Sequence, residues 1–505
     1  MSVTSAEQKM YRFGPLEKKG LVMGLRAGQI IIAASAVVLS LLAIITLESV
    51  AALLAVVVLL GGAFGSIFME PMGRGVDEWI PVIWRWLSRI FRSQNSWITP
   101  VPLLGTVVIN GSPTSIEVPL PESLKSLQIL SIPVQDSNAS VGIVKDKEDG
   151  TYTGVLAVRG TAFALLDSAE KERRLSSWGD VLSGLARPGS TVHRLQWIER
   201  TLPDDGDGLN RYLAEARTDE TTNFHRSYVD LLQEYGPQNQ QHEIYIALQI
   251  HAGKKAARGI RKAGGGDEGA AQVILRELKH LAFRLGEADI VVEGALTPRL
   301  LSRAFRTAVD PESSREIARR GRINADDTGV APEQAWPMSI KTQWGMYQTD
   351  NAYHITYWIS EWPRLEVNTD FLAPLMIRSS RMRTVSLVME PHDSARSARE
   401  IETRHTSYLA DEKLRSNAGY VSTKRRQNEL ESIERREAEL ASGYIEYRIS
   451  GYVTVTALSL DELEEACNEV EQAAQQSRLE LRRLFGEQDW AFTCTLPTAR
   501  GLGKR

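Results

Sequence analysis

Two runs without a charged side chain, Ala27–Leu47 and Ser49–Met69, dominate the first seventy positions, and the single acid Glu48 separates them. Each run, wound as a helix, is ~31 Å long, which matches the hydrocarbon core of a bilayer. One helix of the combined length would project far beyond a membrane. The pattern therefore predicts a tight transmembrane hairpin that turns at Thr46–Val50, with Glu48 in headgroup water. A signal peptide is the alternative, but its apolar stretch is only ~7–15 residues and ends at a small-residue cleavage site. Small residues recur four apart in the second run, Ala51 with Ala55 and Gly61 with Gly65, a weak sign of close helix approach.

The next pattern, WIPVIWRWLSRIF at Trp79–Phe91, is amphipathic. Trp79, Ile80, Ile83, Trp84, Leu87 and Ile90 can share one helical face, and Arg85, Arg89 and Arg92 fall largely elsewhere. Indoles favour the headgroup zone, so this segment reads as an interfacial helix along the inner leaflet, with Trp79, Trp84, Trp86, Arg85 and Arg89 at the membrane interface. A core helix of the soluble region is the competing assignment. Lys18, Lys19 and Arg26 precede the first apolar run and Arg74, Arg85, Arg89 and Arg92 follow the second, whereas the turn has no basic residue. The positive-inside rule then puts both termini in the cytoplasm of a multi-pass inner-membrane protein.

After Pro100 the pattern changes to short alternating runs and helical blocks. Ser140–Gly160 predicts a β-hairpin around Asp149-Gly150, a dipeptide that supplies positive φ. Helices are expected over Ser168–Ala186, Gly208–Tyr235, Ala270–Gly286 and, heavily charged, Ser394–Leu440. Strands are expected at His193–Arg200, Glu243–His251, Ile290–Glu293, His354–Trp362, Thr384–Glu390 and Tyr444–Leu458. Ala263–Gly269 reads as a flexible joint. Ser459 and Glu462 form a capping box opening a helix over Leu460–Leu484, and Asp489–Leu496 reads as a closing strand. No period of ~20–50 residues marks a solenoid. The fold class is α+β, a transmembrane hairpin followed by a large cytoplasmic mixed α/β region. The expected divisions are a tail (1–26), the hairpin (27–69), the Trp-rich segment (70–99) and two soluble regions (100–330 and 331–505).

Composition narrows the function. A net charge of -4 lacks the basic footprint of a nucleic-acid binder, so no direct sequence-specific nucleic-acid contact is expected. Two cysteines, Cys467 and Cys494, make no disulfide framework and fit a reducing compartment. The chain has no phosphate-binding GxxxxGK[ST] loop, no HExxH and no GxSxG elbow. Its eight histidines are scattered, and only His242, Glu243 and His251 cluster, around one expected strand. No catalytic residue, cofactor or metal ligand is assigned. Two basic clusters remain, Lys254–Lys262 and Lys424–Arg436. Both read first as solvated helix faces, and the former could also meet anionic lipid or an acidic partner.

The N-terminal hairpin with its Trp-rich tail resembles the PrgI-like membrane components of Gram-positive conjugation systems over about residues 10–100. Further on stand WPRLEVNTDFLAPL (Trp362–Leu375), RTVSLVMEP (Arg383–Pro391), REAELASGY (Arg436–Tyr444), YRISGYVTVTALSLDELEEACNEVEQAA (Tyr447–Ala474) and LRRLFGEQDWAFTCTLP (Leu481–Pro497). These runs resemble the non-catalytic N-terminal domain of conjugative type IV secretion ATPases. In that family a strand ending in Leu-Pro leads into the P-loop motor, whereas here the sequence ends eight residues after Pro497. The layout also resembles a family of conjugation-associated actinobacterial membrane proteins. The resemblance implies a membrane subunit fused to an ATPase-docking domain, with the motor on a separate polypeptide.

The expected function is thus a non-enzymatic inner-membrane structural subunit of a conjugation or type IV secretion-like apparatus. Its partners would be a separate P-loop ATPase, other channel subunits, the lipid bilayer and further copies of itself. Trp362, Arg364, Arg383 and Phe485 are candidates for partner docking, with core packing the competing role for the aromatics. A membrane-anchored hydrolase and a scaffold or sensor unrelated to DNA transfer are the alternatives.

Overall fold

The computed structural model describes residues 27–501 apart from 47–48, 70, 100–105, 110–111, 116–118, 135–138, 161–165, 188, 204–222, 224–225, 228, 231–239, 324–327, 364, 378–380, 393–396, 398, 400, 404–405, 407–433, 436 and 439–444. The expected turn at Glu48, the basic tail before Ala27, Arg364, most of the two helical stretches 208–235 and 394–440, and the Lys424–Arg426 run lie outside the described residues.

Helices α1 (Ala27–Thr46) and α2 (Ser49–Phe68) open the structure. They line a common groove, with Ile32, Ala36 and Leu39 on one and Val58, Gly62 and Ser66 on the other. Most of their large apolar side chains stay exposed, such as Ile45 (80%) and Val50 (72%). Gly28–Thr46 is long and apolar enough to cross a membrane, and the corresponding apolar stretch of α2, Val50–Ser66, is shorter. Helix α3 (Val76–Phe91) comes next, with Asp77 and Glu78 complementing the positive dipole of its first turn.

The remainder is built on a 13-stranded sheet in which every pairing is antiparallel. Strand β1 (Ser96–Ile98) comes from the segment just after α3, and β2 (Thr106–Ile109) and β3 (Ser112–Ser115) form a separate ribbon. The chain then runs β4 (Leu127–Pro133), β5 (Ser140–Asp146), β6 (Thr151–Arg159), α4 (Ser168–Leu185), β7 (Val192–Pro203), β8 (Gln240–His251), α5 (Lys254–Lys262), α6 (Gly266–Glu287), β9 (Val291–Ala295), α7 (Pro298–Val309) and α8 (Ser313–Ile323). It continues as β10 (Ser339–Thr342), β11 (Tyr347–Thr349), β12 (Ala352–Glu361), α9 (Ala373–Met376), β13 (Arg383–Pro391), β14 (Tyr447–Ala457), α10 (Leu460–Gln476), β15 (Glu480–Arg483) and α11 (Gln488–Thr493).

This order contains an internal duplication. Along the sheet one reads β4-β5-β6-β8-β7 and then β13-β14-β12-β11-β10, a mirror-like sequence of equivalent strands, with β9 on β6 and β15 on β12. The halves meet at β7–β13, where Ile198 faces Ser386 and Glu199 faces Val385, as an approximate twofold axis between those strands requires. Helices α6 and α10 end alike: Ala288 and Ser477 bond back to Arg284 and Ala473, and Ile290 and Leu479 to Leu285 and Ala474. Asp289 (φ 58°) and Arg478 (φ 56°) take the same left-handed position between them, a helix-closing turn that reverses the chain into the next strand.

The sheet is therefore continuous across the expected 330/331 division. Helices α4, α5, α6 and α10 cover one face, and α7 and α11 the other. The expected joint at 263–269 is a tight turn, Gly264–Gly266 all at positive φ, leading straight into α6. The helix expected to reach Leu484 stops at Gln476, because the turn at Arg478 lets Glu480–Arg483 pair with β12.

The segment expected as a closing strand is instead α11 and then a buried strap, Cys494–Arg500, laid over the centre of the sheet. Gln196 fastens it, donating to Cys494 O (2.9 Å) and Leu496 O (3.0 Å) and accepting from Ala499 N–H (2.7 Å). Gln249 donates to Thr498 O (3.0 Å). At its end Arg500 donates to Asp146 (2.6 Å) and to Ser123 O (2.8 Å). The buried glutamines on β7 and β8 thus satisfy the strap's backbone, and the β5 carboxylate of Asp146 pairs with the Arg500 side chain at its end.

Candidate membrane-facing seam

Helix α3 is the hinge of the molecule's two textures, touching both α1 and α2 as well as the sheet corner. Positions 79, 82, 86 and 89 recur at helical spacing and share a face. On that face Trp79 (8% exposed) and Val82 (3%) are buried. Trp344, in the β10–β11 turn, is the receptor: it stacks on Trp79 at 5.8 Å between ring centroids and meets Trp86 edge-on at 5.5 Å. Phe485, just after β15, stacks on the same indole at 6.4 Å. The Trp79 N–H donates to Pro71 O at 3.0 Å, so its polar edge is satisfied as a buried indole requires.

Two glycines let the backbones close. A Cβ at Gly486 would sit 2.7 Å from the Trp344 ring and 2.9 Å from Val82, and its φ of +74° already favours glycine. A Cβ at Gly73 would meet the Arg482 guanidinium at 2.8 Å.

Ion pairs then lock the edges. Arg74 and Arg85 both reach Glu487, at 3.0 and 3.1 Å, and Arg89 reaches Asp489 at 2.8 Å. Asp489 is held by α11, whose first residue is spliced into β12: the Gln488 amide accepts from Thr356 N–H and donates to Thr356 O and Leu484 O. Burial pushes the Asp489 carboxyl above its usual range, and the Arg89 charge only partly offsets it.

The sequence assigned Trp79, Trp86, Arg85 and Arg89 to the membrane interface. The structure turns all four toward the 13-stranded sheet, because acceptors and an aromatic seat that no helical wheel can show are waiting there. Trp84 faces away, 73% exposed, alongside Ile80, Ile83, Leu87, Ile90 and Phe91. Of the residues expected to dock a partner, Phe485 belongs to this seam. Trp362 is half-buried against the α10 core. Arg383 is 2% exposed and donates to Met376 O and Arg381 O, with burial lowering its pKa. It is an internal brace. Arg364 lies outside the described residues.

Sequence reasoning missed Trp344, Glu487 and Asp489. The one signal is the indole of Trp344 within QWGM, a stretch to which the sequence pattern assigns no element. Lys255, Arg258, Arg261 and Lys262 lie exposed on α5, whose Ala256 and Ile260 pack inward.

Elsewhere, Arg200, Arg303 and Tyr245 converge on Glu243 at 2.6, 2.8 and 2.8 Å. Burial opposes the Glu243 charge, and the two guanidinium groups outweigh it and lower its pKa. Beside this cluster, under the strap, is a cavity of about 20 Å³, room for roughly one water. Among the described residues no three His, Cys, Asp or Glu side chains gather as metal ligands. No protein-family model matches the chain, and no curated protein is similar to it.

Proposed function

We propose that the chain is a non-enzymatic, membrane-anchored structural subunit of a conjugation or type IV secretion-like apparatus that holds a separate P-loop ATPase. In this reading α1 and α2 form a multi-pass transmembrane hairpin in the inner membrane. Both termini are cytoplasmic, and the duplicated sheet is the platform on which the motor and other channel subunits dock. One observation carries it: the apolar helices are joined to the sheet through the clamped helix α3 (three ion pairs and a shared aromatic seat), as a load-transmitting anchor requires. The sequence resemblance of Trp362–Pro497 to the non-catalytic ATPase domain supplies the identity of the motor.

Co-purification of the detergent-solubilised full chain with a P-loop ATPase from the same cells is the test. A stable complex, with cross-links from the ATPase to exposed positions on β12–β15 or α10, is expected. Recovery of the chain with no ATPase would remove the docking role. Deleting residues 331–505 is a poor way to map the interface, since it would expose β7, strip off the strap and destroy the sheet.

A further inference from the structure

The outer face of α3 has no cover from the described residues, and its character is uniform. Ile80 (55%), Ile83 (43%), Trp84 (73%), Leu87 (43%), Ile90 (44%) and Phe91 (85%) are all exposed. A contiguous apolar face of this kind marks a contact with another apolar phase. Its neighbours say which one. Only residues 69–75 separate α3 from α2, α3 touches both α1 and α2, and those helices expose almost entirely apolar side chains. The inner face of the same helix is fixed to the corner built by Trp344, Phe485, Glu487 and Asp489.

We infer that α3 lies in the interfacial zone of the bilayer with its outer face in lipid while its inner face stays clamped, so that the bilayer holds the soluble sheet edge-on by its β10–β11–β15 corner. The soluble region is then no domain on a flexible leash. Any force borne by the sheet passes through α3 into the membrane. This rests on the anchoring half of the function proposed above and is independent of the ATPase.

Spin labels on the full chain in phosphatidylcholine–phosphatidylglycerol nanodiscs test it. Cys467 and Cys494 are buried, so the parental chain serves as the unlabelled control. Labels at Trp84→Cys and Leu87→Cys are expected to be relaxed by oxygen and shielded from an aqueous nickel chelate. A label at Gln343→Cys, beside the seat, is expected to lose signal height to a nickel-chelating lipid. One at Phe283→Cys, 70% exposed on α6, should respond to the aqueous chelate alone.

Equal aqueous access at 84, 87 and 283 would overturn the inference. Shielding of 84 and 87 from both oxygen and nickel would also overturn it, by showing a protein cover such as a second copy. Lipid contact at 84 and 87 with no effect of the chelating lipid at 343 would disprove the clamped orientation. A label at Leu42→Cys on α1 separates the two readings: lipid exposure there with an aqueous α3 sinks this inference alone, and an aqueous α1 sinks the anchor as well.

Discussion

The two halves of the sheet share a strand order and differ in the helix that succeeds their last strand. After β9, Thr297 caps α7 by accepting from Leu300 N–H, Pro298 sets the first turn, and twelve residues bury Leu301, Ala304 and Phe305 over β4 and β5. After β15 the equivalent α11 has only six residues. Its capping position is Glu487, which makes no cap bond and reaches out to Arg74 and Arg85 instead. One half completes itself, and the other gives up a self-contained helix cap to grip α3. Divergence between the copies thus coincides with the place where the apolar helices attach.

The largest effect tests whether the strap joins the halves. Arg500, at the end of the strap that follows α11 of the second half, pairs with Asp146 in β5 of the first, both nearly buried (7% and 5% side-chain exposure). Arg500→Met would strand a buried carboxylate, a loss of about 3–5 kcal/mol readable as a lowered denaturation midpoint in detergent. The acid limb checks the same pair. Burial raises the Asp146 carboxyl, but the charge and hydrogen bonds of Arg500 outweigh that and hold it below its ordinary value of 3.8. A carboxyl depressed on folding stabilises above its unfolded pKa, and that stability disappears as pH falls through the folded value. Asp146→Asn should flatten the stability profile below pH 3.8. An unchanged acid limb would mean the strap is only laid on the sheet.

A smaller loss is expected at the seam. Gly486→Ala places a Cβ against Trp344 and Val82 at positive φ and should cost about 1–3 kcal/mol. Proteolysis between α3 and β1 should accelerate, while cleavage within the first half stays at the parental rate. Uniform acceleration across both halves would show that α3 belongs to the general core.

How far the sequence discloses this depends on range. Segments whose pattern is local are legible: α1, α2 and α3 from apolar runs, the β5–β6 hairpin from Asp149-Gly150, the start of α10 from Ser459 and Glu462. The duplication is not, because the copies share strand order and helix-end geometry rather than residues. This segment misleads for a physical reason: Trp490, Phe492, Cys494 and Leu496 alternate like a strand, but Gln488–Thr493 close as a helix, and the sheet's buried Gln196 and Gln249 satisfy the backbone of the following strap from outside any ladder. The seam is half legible, since amphipathicity marks α3 as special and says nothing about Glu487 or Asp489, some 400 positions away.

The caps sharpen the comparison at the next level. Thr297→Ala removes the one side-chain bond to Leu300 N–H (3.3 Å) and should cost about 1 kcal/mol. Glu487→Gln caps nothing, so α11 should persist while Arg74 and Arg85 lose their charge partner. The expected readouts are a lowered midpoint for the first and an α3 more accessible to protease for the second. Reversal of the two results would mean the divergence at these positions has no bearing on docking.

The smallest effect concerns what holds β9 and β15 on their parent strands. Arg159 pairs with Glu293 across β6–β9, but the two side chains are 73% and 44% exposed. A pair in that setting contributes about 0–1 kcal/mol. The backbone ladder carries the attachment, as it does at β12–β15, including a register shift within each pairing. Arg159→Gln should therefore leave the midpoint within about 0.5 kcal/mol of the parent, with no new protection or exposure at β9 by hydrogen exchange. A larger loss confined to β9 would mean that the first half depends on a side-chain contact where the second relies on backbone pairing, and the equivalence of the halves would then stop at strand order.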